Sequence, residues 1–474
     1  SHRDMLTSFF TTFCKPLASR SRLVLGAMAV SKAAETAINE TPKTEQAADP
    51  EIVQVVYVTR HGLRTPLSDS NDIVRNFEWE CLSQEETDDI FTNQVELFRA
   101  DEGPERGIDR DRITRYRIPP GKFEPAFSGD KLIGFGKNCH SGQLTLAGHK
   151  QMRAVGEKVG QRYKKTVPLL PEEWDPSLIA VRSTNSARTI ETALELLNGM
   201  YAKRDGNPIR VELHAINAET MYPHSSCSFL GSAFKAYRSS PARAAIKAEL
   251  ASHFDRSQFE SDDTFNFWTR RSLPALCNTI STLLGHGFPL PKGVAANHAD
   301  VICDLSGKEY FAMYSQDSRM SRLGIGRFLG EIVDVLQDTV EYDLSSKGEQ
   351  LIGMASTNEA APPKFVIMSG HDNTIAPLLQ NLRLTEGTHP PMGSGLAFEL
   401  YRSKPTNNSS DVNSLSDPDY FVQAVFNFQA LPIPACGNKT MCPFEEFVKL
   451  TTTGTPANYH AECDTFEQSF PHFK

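Results

Sequence analysis

Three short runs of the chain pair basic side chains with a strand-like stretch just before them. They are Arg60-His61-Gly62-Leu63-Arg64-Thr65-Pro66, Arg182-Ser183-Thr184 with Arg188 further on, and Gly370-His371-Asp372-Asn373. Arginine carries a planar fork of donors that matches the oxygens of phosphate or carboxylate. Neutral imidazole is a competent nucleophile. A carboxyl group beside a histidine, as in His371-Asp372, supplies an acid or a base. Arg60, Arg64 and Arg182, brought to one place with His61 and His371, would repel one another unless an anion joined them. The ligand this chemistry selects is a multiply charged oxyanion, most simply phosphate.

The elements that must position these groups can be read from apolar patterning. Residues 52–59, 178–181 and 365–368 are almost entirely apolar and rich in β-branched types. Such runs suit strands covered on both faces in a parallel sheet. Each is followed by polar residues and then by a helical pattern, the βα unit of a doubly wound sheet. Helices are predicted over 145–163, 186–197 and 322–341. The last carries the apolar stripe Ile325, Phe328, Leu329, Ile332, Leu336 and Val340. Ligands of such sheets sit outside the carboxyl ends of the strands, where all three basic runs fall.

The predicted architecture is therefore α/β: a doubly wound, mainly parallel sheet flanked by helices, with a mostly helical inserted cap domain. The core is expected from 51–200 plus 355–474 and the insertion from 201–354. Between about 200 and 320 helical pieces such as 241–250 stand out and no buried strand is read. Residues 403–416 read as a surface loop.

The chain has 474 residues, with 49 Lys+Arg against 58 Asp+Glu and a net charge of −9. A nucleic-acid binder would show a basic surplus, so that partner is excluded. No apolar run approaches the 18 residues of a spanning helix. Residues 1–50 read as a leader or linker. Within them Arg20 and Arg22 precede the apolar run Leu23 to Val30, which fits either a signal or anchor remnant or a plain leader. Membrane association through that segment stays open. Nine cysteines form no C-x-x-C pair, and Cys436 and Cys442 are spaced to close a small loop. N-x-[ST] sequons stand at Asn39, Asn407, Asn408 and Asn438. Together these features point to a glycosylated protein of the secretory route: secreted, lysosomal or endomembrane-lumenal.

The ordered set of motifs resembles the histidine acid phosphatases, the RHGxRxP branch of the histidine phosphatase superfamily. Arg60-His61-Gly62-x-Arg64-x-Pro66 is similar to that signature. Gly142-Gln143-Leu144-Thr145-x-x-Gly148, Arg182-Ser183-Thr184-x-x-x-Arg188-Thr189, Gly370-His371-Asp372 and Met441-Cys442-Pro443 to Phe447 resemble four further family segments, in order. The resemblance covers about residues 51–465 and lies nearest the animal lysosomal, prostatic and xylose-phosphate relatives. It implies His61 as nucleophile, forming a phosphohistidine, and Asp372 as general acid. It implies Arg60, Arg64, Arg182 and His371 as phosphate ligands. No metal and no cofactor is needed, because arginines supply the charge a Mg²⁺ would supply. Relatives are often homodimers.

Arg188, one turn into a helix, reads as structural, and His149 and His224 as packing residues. Leu63 stands where animal acid phosphatases often have Asp. The reading is a phosphomonoesterase. A phytase or other specialised phosphomonoesterase is the alternative. A phosphoglycerate mutase is disfavoured by Arg64-x-Pro66 and His371-Asp372, and a silent family member by the presence of all five key residues.

Overall fold

The structure is a computed structural model. It describes residues 50–67, 77–100, 115–118, 134–135, 138–224, 226–352, 361–385, 387–404 and 419–464. The leader, the 403–416 loop beyond its first residues, and Asn39, Asn407 and Asn408 lie outside these. The described residues from Ile52 to Arg402 and from Asp419 onward belong to one compact unit.

At its centre are β1 (Glu51–Arg60), β8 (Phe365–Gly370), β6 (Ile179–Ser183), β7 (Ile209–His214) and β2 (Val95–Ala100), adjacent in that order. Each neighbouring pair among them is parallel. Antiparallel strands extend both ends: β3 (Arg115–Arg117) beside β2, and β10 (Tyr420–Phe426) beside β9 (Gly395–Arg402), with β11 (Gln429–Leu431) and β12 (Cys442–Pro443) beside β10. A small separate sheet pairs β4 (Gly134–Phe135) with β5 (Cys139–His140).

The expected strands at 52–59, 178–181 and 365–368 are thus β1, β6 and β8, and they lie side by side. β7 departs from the expectation that no buried strand falls between 200 and 320. Its sequence alternates, with Ile209, Val211 and Leu213 buried and Arg210 exposed. A period of two marks a strand with one wetter face, which a search for unbroken apolar runs passes over.

Among the described residues there are twelve helices. In chain order they are α1 (Gln84–Asp89), α2 (Leu146–Gln161), α3 (Ala187–Met200), α4 (Ser228–Arg238), α5 (Pro241–Ser252), α6 (Asp262–Arg270), α7 (Leu273–Gly285), α8 (Asn297–Ser315), α9 (Ser318–Ile352), α10 (Asp372–Asn381), α11 (Phe444–Gly454) and α12 (Tyr459–Asp464). The whole stripe from Ile325 to Val340 on α9 is buried in one core with Val56, Val58, Val366 and Met368 of the sheet and Phe447 of α11. Side chains alternate across a sheet. Tyr57 and Phe365 therefore face the other way, where Tyr163 just beyond α2 meets Phe365 at 5.1 Å between ring centres.

α2 and α3 cross with backbone almost touching backbone. A Cβ at Gly156 would lie 2.1 Å from the Leu196 carbonyl oxygen, and one at Gly199 would lie 2.0 Å from that of Arg153. Only glycine permits that approach. Four disulfides link Cys81 to Cys139, Cys227 to Cys463, Cys277 to Cys303, and Cys436 to Cys442. Cys14 lies outside the described residues. No helix among the described residues is long and apolar enough to cross a membrane.

Candidate active site

β1 and β8 end level with each other, Arg60 opposite Gly370. The chain then turns into the crevice beyond their carboxyl ends. The His61 amide donates to the Gly370 carbonyl at 3.0 Å, and the Gly393 amide donates to the His61 carbonyl at 3.0 Å. The next two amides are held by helix side chains. Gly62 donates to Thr192 Oγ1 on α3 at 3.1 Å, and Leu63 donates to Gln151 Oε1 on α2 at 2.9 Å. Strand end and helix pair together fix the turn that presents the imidazole.

His61 is 2% exposed. Its Nδ1 lies 2.9 Å from the Gly62 carbonyl oxygen. A carbonyl only accepts, so Nδ1 carries the proton and Nε2 keeps its lone pair. Burial, and then the charges of Arg188, Arg64, Arg60 and His371, hold the His61 pKa well below its ordinary value. The ring is neutral and nucleophilic at Nε2.

Three buried arginines surround it. Burial and the neighbouring Arg188 and Arg60 charges push Arg64 down to about 9, against the pull of Asp372. Arg188 is pushed down to about 10, by burial and by Arg60, against Asp372 and Glu191. Guanidinium groups so displaced are crowded by like charge. Arg60, Arg64 and Arg188 each keep a buried Nε–H with no hydrogen-bond partner among the described residues. Glu191, a turn beyond Arg188, is itself pushed up to about 7 by burial, so it compensates weakly. Asp372 is the carboxylate that faces the cluster.

His371 lies 5.6 Å from His61, ring centre to ring centre. Its Nε2 is 3.0 Å from Thr184 Oγ1, and its Nδ1 is 3.5 Å from Arg188. Burial and Arg188 drive its pKa well below the ordinary value, although Asp372 pulls it up. Asp372 opens α10, and its side chain is 15% exposed. Arg60 Nη2 sits 3.2 Å from Asp372 Oδ2, and Asn278 of α7 donates to the same oxygen at 3.0 Å. Burial alone would raise this carboxyl. The charge of Arg60 outweighs it, with help from His389, Asn278 and Arg64, and holds the group well below the usual carboxylate range.

Sequence reasoning missed three residues here. Arg188 was expected to be structural and instead lines the cleft. Its signal was its position in the first turn of the helix that follows β6. Asn278 also accepts from Arg60. His389 accepts from Arg60 Nη1 at 3.2 Å through Nε2 and meets Ser306 Oγ at 2.9 Å through Nδ1. Burial first, then Arg60, push His389 down to about 3 despite Asp372, so it stays neutral. No motif marks either residue, because each reaches the site through tertiary packing alone.

Arg182 corrects an expectation. It was expected among the phosphate ligands. The structure instead places its guanidinium against Glu331 of α9 and Glu219, with the latter at 2.8 Å, and against Thr220 and His214. Arg182 lies inside β6 opposite Met368, so alternation sends its side chain to the α9 face, over the Phe328 ring. Burial would lower its pKa, but Glu331 and Glu219 raise it above the ordinary value.

The family model of the histidine phosphatase superfamily (branch 2) matches residues 51–427. A probable acid phosphatase of Dictyostelium discoideum is 26% identical over 345 residues, covering 68% of this chain and 69% of its own length. The lysophosphatidic acid phosphatase type 6 of Homo sapiens is 24% identical, covering 87% of this chain and 85% of its own. The prostatic acid phosphatase of Homo sapiens is 23% identical, covering 68% and 80%. Among solved structures, a Hafnia alvei phytase in complex with myo-inositol hexakis sulphate superposes with a TM-score of 0.53 at 16% identity, covering 87% of this chain and 99% of that one.

Proposed function

This chain belongs to the histidine phosphatase superfamily, branch 2, and is a phosphoric monoester hydrolase; from that premise we propose the route by which its own residues carry out the reaction. One observation carries the proposal: three buried, mutually repelling guanidinium groups enclose a neutral His61 and are faced by the carboxylate of Asp372. A phosphate monoester supplies the negative charge that this arrangement lacks.

Arg64 and Arg188 bind the phosphoryl oxygens, with the Nε–H of Arg60 and with His371. Their charge is preorganised for the transition state. His61 Nε2 attacks phosphorus. The N–P bond forms as the P–O bond to the alcohol breaks, and Asp372 delivers a proton to the departing oxygen. Water then attacks the phosphohistidine and gives its proton to Asp372. The N–P bond breaks, releasing inorganic phosphate. Asp372 is ionised in the free protein, so its proton arrives with the substrate monoanion. The bound phosphoryl group then offsets Arg60 and lets the carboxyl hold that proton.

Of the segment 201–354 expected as the cap, we assign α4 to α8 to it, since α7 and α8 supply Asn278 and Ser306 to the site, whereas β7 joins the main sheet and α9 packs on it. The four disulfides suit an oxidising lumen, and a secretory-route location with a glycan on the exposed Asn438 is part of the same proposal.

The test is His61→Ala combined with alkaline-quench trapping, because a phosphohistidine survives base and is hydrolysed in acid. The native protein mixed with a labelled aryl phosphate yields an acid-labile phosphorylated chain. The variant yields none, and its turnover falls by at least about 10⁴-fold while its circular dichroism is unchanged. Undiminished turnover in the variant removes the mechanism.

A further inference from the structure

A pocket of about 320 Å³ opens between α4, α7 and α8, with Asn373, the residue after Asp372, in its lining. Its walls are Phe234, Tyr237, Tyr310, Met313 and Tyr314 with two prolines, and Asn373 also lines it. Its charged lining is largely spent within the protein. Arg243 pairs with Glu309 at 3.0 Å, and Glu309 also accepts from the Leu273 amide. Arg238, exposed on the last turn of α4, forms no ion pair among the described residues.

Three observations tie this pocket to the chemistry. Asn373 directly follows Asp372 and donates its amide to Asp372 Oδ1 at 2.9 Å. Tyr310 meets the His389 ring at 5.9 Å. Burial and the Asp372 charge both raise the phenols of Tyr310 and Tyr314. Two of its lining residues carry a buried polar atom that has no hydrogen-bond partner among the described residues, Asn373 Oδ1 and Tyr237 Oη.

In an in-line displacement the alcohol leaves opposite the nucleophile, on the side of the group that protonates it. Here that side is Asp372, and the lining of the pocket reaches Asn373, the next residue along the chain. We propose that this pocket, bounded by Phe234, Tyr237, Tyr310, Met313 and Tyr314, binds the leaving alcohol and selects monoesters whose alcohol has an apolar body, an alkyl chain or an aromatic ring. A polyol bearing several phosphates would find one unpaired guanidinium, which is a poor match for its charge. The volume is at the small end of ligand pockets and suits a single ring or a short chain.

This inference rests on the phosphomonoesterase reading, and the experiment separates the two. Steady-state kcat/KM is measured for methyl, butyl, hexyl and octyl phosphate, for phenyl and naphthyl phosphate, for glycerol 1-phosphate and for inositol hexakisphosphate. The expected result is a rise of about two- to fourfold per methylene until the pocket is filled, with inositol hexakisphosphate a poor substrate. A steeper gain along the alkyl series identifies a chain as the natural occupant, and a steeper gain from phenyl to naphthyl identifies a ring. In Met313→Glu, and separately in Phe234→Ala, the octyl-to-methyl ratio of kcat/KM falls at least tenfold. Hydrolysis with no dependence on alcohol size, or a preference for inositol hexakisphosphate, overturns the inference and leaves the phosphatase reading standing. Absence of turnover on every ester overturns the reading itself.

Discussion

Replacing Arg188 with alanine takes a guanidinium out of the His61 cleft, whereas Arg182→Leu leaves Glu219 and Glu331 buried without their cation. Opposite signatures follow. Arg188→Ala lowers kcat/KM by about 10²–10³, and its thermal midpoint holds or rises because repulsion with Arg64 and Arg60 is relieved. Arg182→Leu loses about 3–5 kcal/mol of stability. Urea titrations and aryl phosphate kinetics on both variants check this, and a stable but inactive Arg182→Leu would restore Arg182 to the phosphate site. Proton inventory gives a second residue-scale prediction. Asp372 is held ionised and His61 neutral, so the alkaline limb of kcat/KM reports substrate losing its own proton, near pH 6 for a typical phosphate monoester. Substrates with more acidic phosphoryl groups should shift that limb to lower pH by their own pKa difference. A limb fixed across substrates would assign it to a group of the protein. His61, Arg64 and Asp372 were legible in the sequence because each sits at or just after a strand end, inside a motif of fixed spacing. Arg182 misled because strand alternation, invisible in a motif, decides which face its side chain takes. Asn278 and His389 had no local signal, since only folding brings α7 and the segment before β9 to Asp372.

At the scale of elements, the His61 turn is only as rigid as the helix pair that holds it. Thr192 and Gln151 grip Gly62 and Leu63 from α3 and α2, and those helices meet through Gly156 and Gly199. A Cβ at position 199 would press on the backbone of Arg153 and Glu157, which no rotamer change can relieve. Gly199→Ala should therefore cost about 1–3 kcal/mol of stability, and it should lower kcat more than it raises KM, because His61, the proposed nucleophile, loses its alignment. Thermal melts and steady-state kinetics read both effects; an unchanged kcat would mean the turn is fixed by the strand end alone. β8, buried throughout, and β1, buried over all but two of its residues, announced themselves as apolar runs. β7 and β2 did not, because parallel strands near an edge alternate like strands of an antiparallel sheet.

Across the whole molecule, the site is assembled from parts that the sequence keeps far apart, and covalent ties hold some of those parts. Cys277 and Cys303 join α7 to α8. Cys277 is next to Asn278, the donor to Asp372, and Cys303 is one turn before Ser306, the partner of His389. Pairing them could not be read from spacing, because they stand 26 positions apart and several partners were open to each cysteine. The bond constrains the unfolded chain and also the distance between two supports of Asp372, the proposed general acid. Replacing both cysteines with serine should lower stability by about 2–4 kcal/mol. The kinetic consequence should be selective. Esters with poor leaving groups, which in the proposed mechanism need the proton from Asp372, should slow several-fold more than nitrophenyl phosphate, whose leaving group needs little help. Equal slowing of both classes would show that the disulfide acts on folding alone and not on the placement of the acid.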